Sequence, residues 1–557
     1  MFEKQKICKL FISFSCFSVV FLIYLSCLCH KGVVFTGLPF PFCLFMCHTN
    51  IIRNERGVLM IETITKVNDY INGLVWGWPA LILLGFVGVL MTCLTKFFQV
   101  SHFRHWIKNT IGAIFGDKHV TKHTEDKSIS QFQSLCTALA ATVGTGNIVG
   151  VAGAIAIGGP GAVFWMWLIA FFGMMTNYSE NVLGILYRRK NSKGEWCGGA
   201  MYYLRDGLGS KKGCKTIGII LATLFSCFCL LASFGIGNMS QVNSMVANVH
   251  TAFGVPEIAT GIFLFFAVAL VILGGLKRIA AMTEKIVPFM VVAYLVGTLI
   301  IIIMHITTIP AVFVSIIRGA FNLKSATGGV VGSGIALAMQ MGMKRGVFSN
   351  EAGLGSSVMV HSSSNVREPI RQGIWGIFEV FADTIVVCTL TALTILSSGA
   401  IDLATGQMST EAAQVGSSSL MSYAFSQTFG KPGAWFIALA ILLFAYSTVL
   451  GWSHYGATAC EYLFGTKSVT VYRVVFVIIV LAGSVMEAQL AWDISDTFNG
   501  LMMIPNLIGV LVLSPLVMKC TKNYVDRKIH GKNIKPMLSM FPDIQEEHEK
   551  EVLHGAQ

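Results

Sequence analysis

Two short stretches of this chain hold more glycine and polar atoms than an apolar helix tolerates. One is Gly144-Thr145-Gly146-Asn147, inside CTALAATVGTGNIVGVAGAIAIGG. The other runs from Arg345 to Gly353, inside GVVGSGIALAMQMGMKRGVFSNEAGLGSS. Glycine costs about 1 kcal/mol in a helix interior relative to alanine, so each stretch predicts a break in a helix. The chemistry a break offers is binding. N–H groups at the start of a half-helix attract an anion, and unwound carbonyls take a cation. Acidic residues in apolar surroundings add to the inventory: Glu180, Glu351, and Glu379 with Asp383 at i and i+4 on one helix face. Glu180 is expected to pair with Arg188, and Glu351 with Lys344 or Arg345, while Glu379 and Asp383 serve a gate, stability or proton coupling. Gln241, in SFGIGNMSQVNSM, interrupts an apolar run and is either a helix–helix hydrogen-bond partner or a binding group. Enzyme chemistry is absent from these patterns. There is no H-E-x-x-H, P-loop or G-x-S-x-G, His361 stands alone, and His119 and His123 lie in a charged loop. The fifteen cysteines are scattered without a C-x-x-C pair, so no metal centre or cofactor is expected.

The elements that position these residues follow from composition. Of 557 residues, 54% are hydrophobic and 12% charged, half of the roughly 25% charged in soluble domains. That excludes an ordinary soluble enzyme, a disordered chain and a fibre, and leaves an all-α polytopic membrane protein, its apolar surface covered by the lipid bilayer. The net charge of +12 sits in short loops and the tail, where it sets topology and implies no nucleic-acid partner. Eleven transmembrane helices are expected, over 75–96, 131–157, 160–188, 215–247, 256–275, 280–308, 327–362, 371–398, 432–463, 470–488 and 491–518. Alternate loops carry the basic residues, among them Arg104, Arg188, Lys277, Arg367 and Lys467. The opposite loops hold few basic residues, chiefly Arg318, Lys324 and Lys431, alongside Glu257, Asp402, Glu411, Glu487 and Asp493. The positive-inside rule then makes the 519–557 tail cytoplasmic. Residues 1–59 form an anomalous hydrophobic extension, either upstream of a true start at Met60 or an extra anchor over 10–29.

Residues 60–130 supply one peripheral helix and a cytoplasmic loop; two blocks of five spans follow, 131–308 and 327–518, each opened by a broken helix. An odd number of crossings inserts the second block upside down. The expected architecture is thus ten core helices in two inverted five-helix repeats, with discontinuous first and sixth core helices. That is the layout of a secondary transporter. The plainer alternative, that the glycines only permit close helix packing, explains one cluster more easily than two at matching positions. A channel would need a continuous polar pore, which one chain with its own inverted halves fits poorly.

The strings ATVGTGNIVGVA, KRGVFSNEAGLGSS and GIWGIFEVFADTIVVCTLTAL resemble signatures of the alanine or glycine:cation symporters, the sodium:alanine symporters of bacteria and archaea. The resemblance spans roughly residues 60–530 and departs at Val358-Met359-Val360, where the family tends to have proline and small residues. It implies a leucine-transporter-like fold in a bacterial cell membrane. It also implies sodium-driven uptake of alanine or glycine, with sodium as the co-transported ion; proton coupling is the alternative. For such a zwitterion, Gly144, Thr145, Gly146 and Asn147 would meet the carboxylate, and Phe348, Asn350 and Gln241 the ammonium. Phe348 and Trp452 would wall the pocket. In that fold sodium sits between carbonyls of the first core helix and hydroxyls of the eighth. This implies Ala140 and Val143 on one side and Phe444, Ser447 and Thr448 on the other. The competing role for both hydroxyls is a bond back to their own helix.

Overall fold

The computed structural model describes residues 55–122, 128–321, 333–485 and 488–553. The expectations for residues 10–29, for Lys324 and for Glu487 fall outside these. Nearly everything described is helical. After α1 (Glu55–Val75) and α2 (Trp78–Leu94), four short helices lead to α3 (Gln131–Thr142). A π-helical turn, Gly146–Gly150, leads into α4 (Val151–Gly158). Then come α5 (Gly161–Leu186), α6 (Lys215–Phe234), α7 (Ser240–Phe253), α8 (Glu257–Ile272), α9 (Leu276–Met304) and α10 (Ile309–Phe321). The second half holds α11 (Ser333–Asn350), α12 (Val358–His361), α13 (Pro369–Val380) and α14 (Thr389–Ser397). It closes with α15 (Leu420–Phe429), α16 (Lys431–Phe464), α17 (Ser468–Val485), α18 (Ala488–Lys528) and α19 (Pro542–Leu553). One antiparallel hairpin, β1 (Arg189–Lys190) and β2 (Trp196–Cys197), interrupts the helices.

Among the described residues, eight helical stretches are long and apolar enough to cross a membrane, and the pair α3 and α4, bent by 49° at the first break, makes a ninth. The expected 256–275 span is the 16-residue α8, and the expected 327–362 span is α11 and α12 with a gap between them. The apolar α10, in what the sequence presented as a loop, packs so tightly on α5 that Gly319 and Gly161 meet backbone to backbone.

Burial is inverted relative to a soluble protein. Phe263, Phe266, Leu270, Phe289, Ile303 and Val471 point outward, 65–70% exposed, whereas Glu180, His361, Glu379 and Asp383 are wholly buried. A belt of that kind is stable against hydrocarbon. α5 runs through the middle of the bundle against α11 and α13, and its polar face, Asn177 to Asn181, is met by Gly376 of α13.

The end of the chain folds back over loop segments. The Met540 N–H donates to the Leu186 carbonyl at 3.0 Å. Lys190 of β1 pairs with Glu547 of α19 at 3.0 Å, and Arg367 pairs with Glu551. The Arg189 guanidinium lies 4.1 Å over the Phe541 ring, and the His548 ring sits 5.6 Å from Trp196 of β2.

Candidate functional site

The first break lies where the glycines place it. In a continuous helix the Gly144 N–H would serve the Ala140 carbonyl and the Asn147 N–H the Val143 carbonyl. Here the Gly144 N–H goes to the Thr142 carbonyl at 3.0 Å and to Asn147 Oδ1 at 2.9 Å, and the Asn147 N–H to the Gly144 carbonyl at 3.3 Å. The carbonyls of Ala140 and Val143 are thereby released from those helical partners. Gly144 is required because Thr448 of α16 is so close: a Cβ there would stand 2.3 Å from the threonine hydroxyl oxygen. Asn147 also reaches across to Asp383, donating from Nδ2 to Oδ1 at 2.7 Å. The Asp383 carboxylate accepts further from Ser349 at 2.9 Å and Thr384 at 2.8 Å.

The second break lies later than the sequence suggested. α11 continues through Arg345 and Gly346 to Asn350, and the chain unwinds from Glu351 to Ser357. Gly346 packs in the helix against Met166 and Ile169, which a Cβ would meet at 3.0–3.1 Å. The turn is made by positive φ at Glu351 (56°), Gly353 (92°) and Gly355 (73°). Asn350 caps it, accepting the Ala352 N–H at 3.0 Å and donating to Thr384 at 3.0 Å. Asn506 of α18 ties the loop down, donating to the Gly353 carbonyl at 2.8 Å and to Glu180.

Between the breaks lies a small cavity lined from both. Of the expected residues, Gly144, Thr145, Gly146, Gln241, Phe348, Trp452 and Thr448 line it. Asn147 and Asn350 do not; their side chains hold the two breaks together. Gln241 is engaged at both ends, accepting the Thr145 hydroxyl at 3.0 Å and donating to the Ile236 carbonyl at 3.0 Å. Trp452 packs on Gly237, where a Cβ would meet it at 2.4 Å. Ser447 and Thr448 both donate to the Phe444 carbonyl, at 2.8 and 3.0 Å. Their lone pairs stay available while that carbonyl is occupied by their protons. Ala141, Thr142, Ile236, Glu351 and Asn499 also line the cavity and were not singled out as binding groups. Asn499 carried a signal: like Gln241, it interrupts an apolar span, in DISDTFNGLMMI.

Glu180 and Glu351 find other partners than the basic residues expected from sequence. Glu180 accepts from Asn506, and Arg188 instead donates to the carbonyls of Ser362, Ser364 and Val366. Lys344 pairs with Asp496 at 2.6 Å, Arg345 lies 5.5 Å from the Phe348 ring centroid, and Glu351 accepts from Ser356. His361 is not alone: its Nε2 is 3.0 Å from Glu379 Oε2. Among the described residues no group of three or more His, Cys, Asp or Glu is arranged to hold a metal ion.

The family model described as the sodium:alanine symporter family matches residues 61–537. The sodium/alanine symporter AgcS of Methanococcus maripaludis is 42% identical over 85% of this chain and 100% of its own. The amino-acid carrier protein AlsT of Bacillus subtilis is 35% identical over 82% of this chain and 91% of its own. The probable sodium/glutamine symporter GlnT of the same organism is 35% identical over 85% and 93%. Among solved structures, MhsT in complex with L-phenylalanine covers 72% of this chain and 99% of its own, at 12% identity and a TM-score of 0.46.

Proposed function

The chain belongs to the sodium:alanine symporter family, and from that premise we propose that it couples sodium entry to uptake of alanine or glycine by alternating access. Membership makes it a multi-pass membrane transporter rather than an enzyme. In the proposed layout, one peripheral and ten core spans form two inverted repeats, with a cytoplasmic C-terminus. The observation that carries the function is the meeting of the two breaks around one small cavity, with the Thr448 hydroxyl against Gly144.

The substrate carboxylate sits at the N–H groups of the Gly144–Asn147 break, where a half-helix begins. Phe348 and Trp452 limit the room for a side chain. Sodium takes the released carbonyls of Ala140 and Val143 together with the Ser447 and Thr448 oxygens. The Phe444 carbonyl orients those hydroxyls by accepting their protons. Ion and substrate thus share one broken segment, so each favours the state that binds the other. One observation favours proton coupling as a second reading: the buried Asp383 carboxylate is bonded directly to Asn147 of the first break.

The test is uptake of radiolabelled alanine into proteoliposomes under an inward sodium gradient. Sodium-driven accumulation is expected, and Thr448→Ala should raise the half-activating sodium concentration about tenfold or more, as loss of one charge-assisted contact does. Accumulation that follows a proton gradient and is abolished by Asp383→Asn would select the second reading. No accumulation under either gradient would reject alanine and glycine as substrates.

A further inference from the structure

We infer that Asn499 of α18 receives the substrate's ammonium group in the cavity; this rests on the zwitterion reading above and deepens it. The carboxylate end has its donors at the first break. The ammonium end needs an acceptor oxygen facing the same space, and most polar groups there are already engaged. Gln241 Oε1 holds the Thr145 hydroxyl, and its amide nitrogen holds a carbonyl. The hydroxyl protons of Thr142 and Thr448 go to the carbonyls of Ala138 and Phe444, at 3.3 and 3.0 Å. The Glu351 carboxylate accepts from Ser356, with the Trp452 side chain as a further donor. Asn350 is not in the cavity wall.

Asn499 differs from all of these. It is 1% exposed, it lines the cavity, and its Oδ1 has no hydrogen-bond partner. A buried amide oxygen without a donor is unfavourable in the empty site and is satisfied by a ligand that brings N–H groups. Its helix is held from behind. The Trp76 indole N–H donates to the Asp496 carbonyl at 3.0 Å, and Gly500 lies so close to Trp76 that a Cβ would meet it at 2.8 Å. The amide is therefore presented on a fixed backbone, on the wall that neither break supplies. The ligand class this defines is a small amino acid with a free primary ammonium group.

The experiment uses full-length chain in proteoliposomes, with Asn499→Ala and Asn499→Asp beside the wild type. Three quantities are read: the KM for alanine, the half-activating sodium concentration, and the inhibition constants of alanine and N,N,N-trimethylalanine. Wild type should prefer alanine over its trimethyl analogue, which has no N–H, by about tenfold or more, as loss of direct N–H donation to a buried acceptor requires. Asn499→Ala should raise the alanine KM about tenfold to a hundredfold, leave sodium activation in place and erase that preference. Asn499→Asp retains an acceptor at the same place and should hold the KM within about threefold of wild type. It also tests the proposal should the alanine variant fail to fold, since a tenfold loss in the folded aspartate variant would overturn it. An unchanged KM in Asn499→Ala, or a change confined to sodium activation, overturns the role of Asn499 while wild-type uptake keeps the transport function standing. Wild type that accumulates no zwitterion overturns both.

Discussion

Thr448 and Gly144 meet across the bundle with no room for a methyl group between them. Gly144→Ala should displace the Thr448 hydroxyl, lower stability by about 1–3 kcal/mol as overpacking does, and weaken sodium activation. Adding Thr448→Ala removes the clash with the oxygen. The double variant should therefore regain thermal stability while sodium activation stays weak, and recovery of both would deny the contact a role in ion binding. At this scale the sequence was informative wherever the constraint is local. Glycine density located the first break, and seven of the expected residues face one cavity. It was uninformative where partners are distant. His361 and Glu379, or Glu180 and Asn506, show no periodic relation, so neighbours such as Arg188 and Lys344 were offered in place of the partners that the fold supplies.

The two interrupted helices are built differently. The first has no positive φ; Val143, at φ −79° and ψ 83°, leaves the helix and hydrogen bonds are exchanged around Gly144, so its halves bend by 49°. The second turns through left-handed conformations at Glu351, Gly353 and Gly355. Gly353→Ala should therefore cost about 1–3 kcal/mol through backbone strain and raise the alanine KM. Gly346→Ala, at a packing glycine in regular helix, should leave the KM close to wild type, provided Met166 and Ile169 shift slightly. Thermal shift and uptake measured on both variants check this; equal loss of substrate binding would place the functional break nearer Gly346. The sequence could not separate the two glycines, because a helix neighbour and a left-handed turn both select the same residue. Only the φ angles distinguish them.

For the whole molecule, α19 acts as a strap across the β1–β2 hairpin and the segment around Arg367. His548, on α19 itself, is buried against Trp196 of the hairpin. Burial and the nearby Arg188, Arg367 and Lys190 push its imidazole from an ordinary 6.5 down to about 3. The docked strap thus holds a neutral ring, whereas a released strap takes up a proton near pH 6.5. Docking is strongest above that value and weakens as pH falls from 6.5 toward 3, by up to about tenfold per pH unit. The protection of residues 542–553, taken relative to the intrinsic exchange rate at each pH, should fall between pH 7 and 5 in wild type and show no such step in His548→Phe. An identical pH response in the two proteins would exclude the ring. None of this was legible in the tail's sequence, which shows charge and amphipathicity without saying what they dock against.

The strap has a consequence for biosynthesis. Its docking site is made early, just after α5, but α19 is translated only after every span. At about 5–20 residues per second, the hairpin waits on the order of a minute uncovered. During that interval the basic run at Arg188–Lys190 is open to insertion factors and lipid headgroups. The clamp can close only after the last span, α18, has been translated.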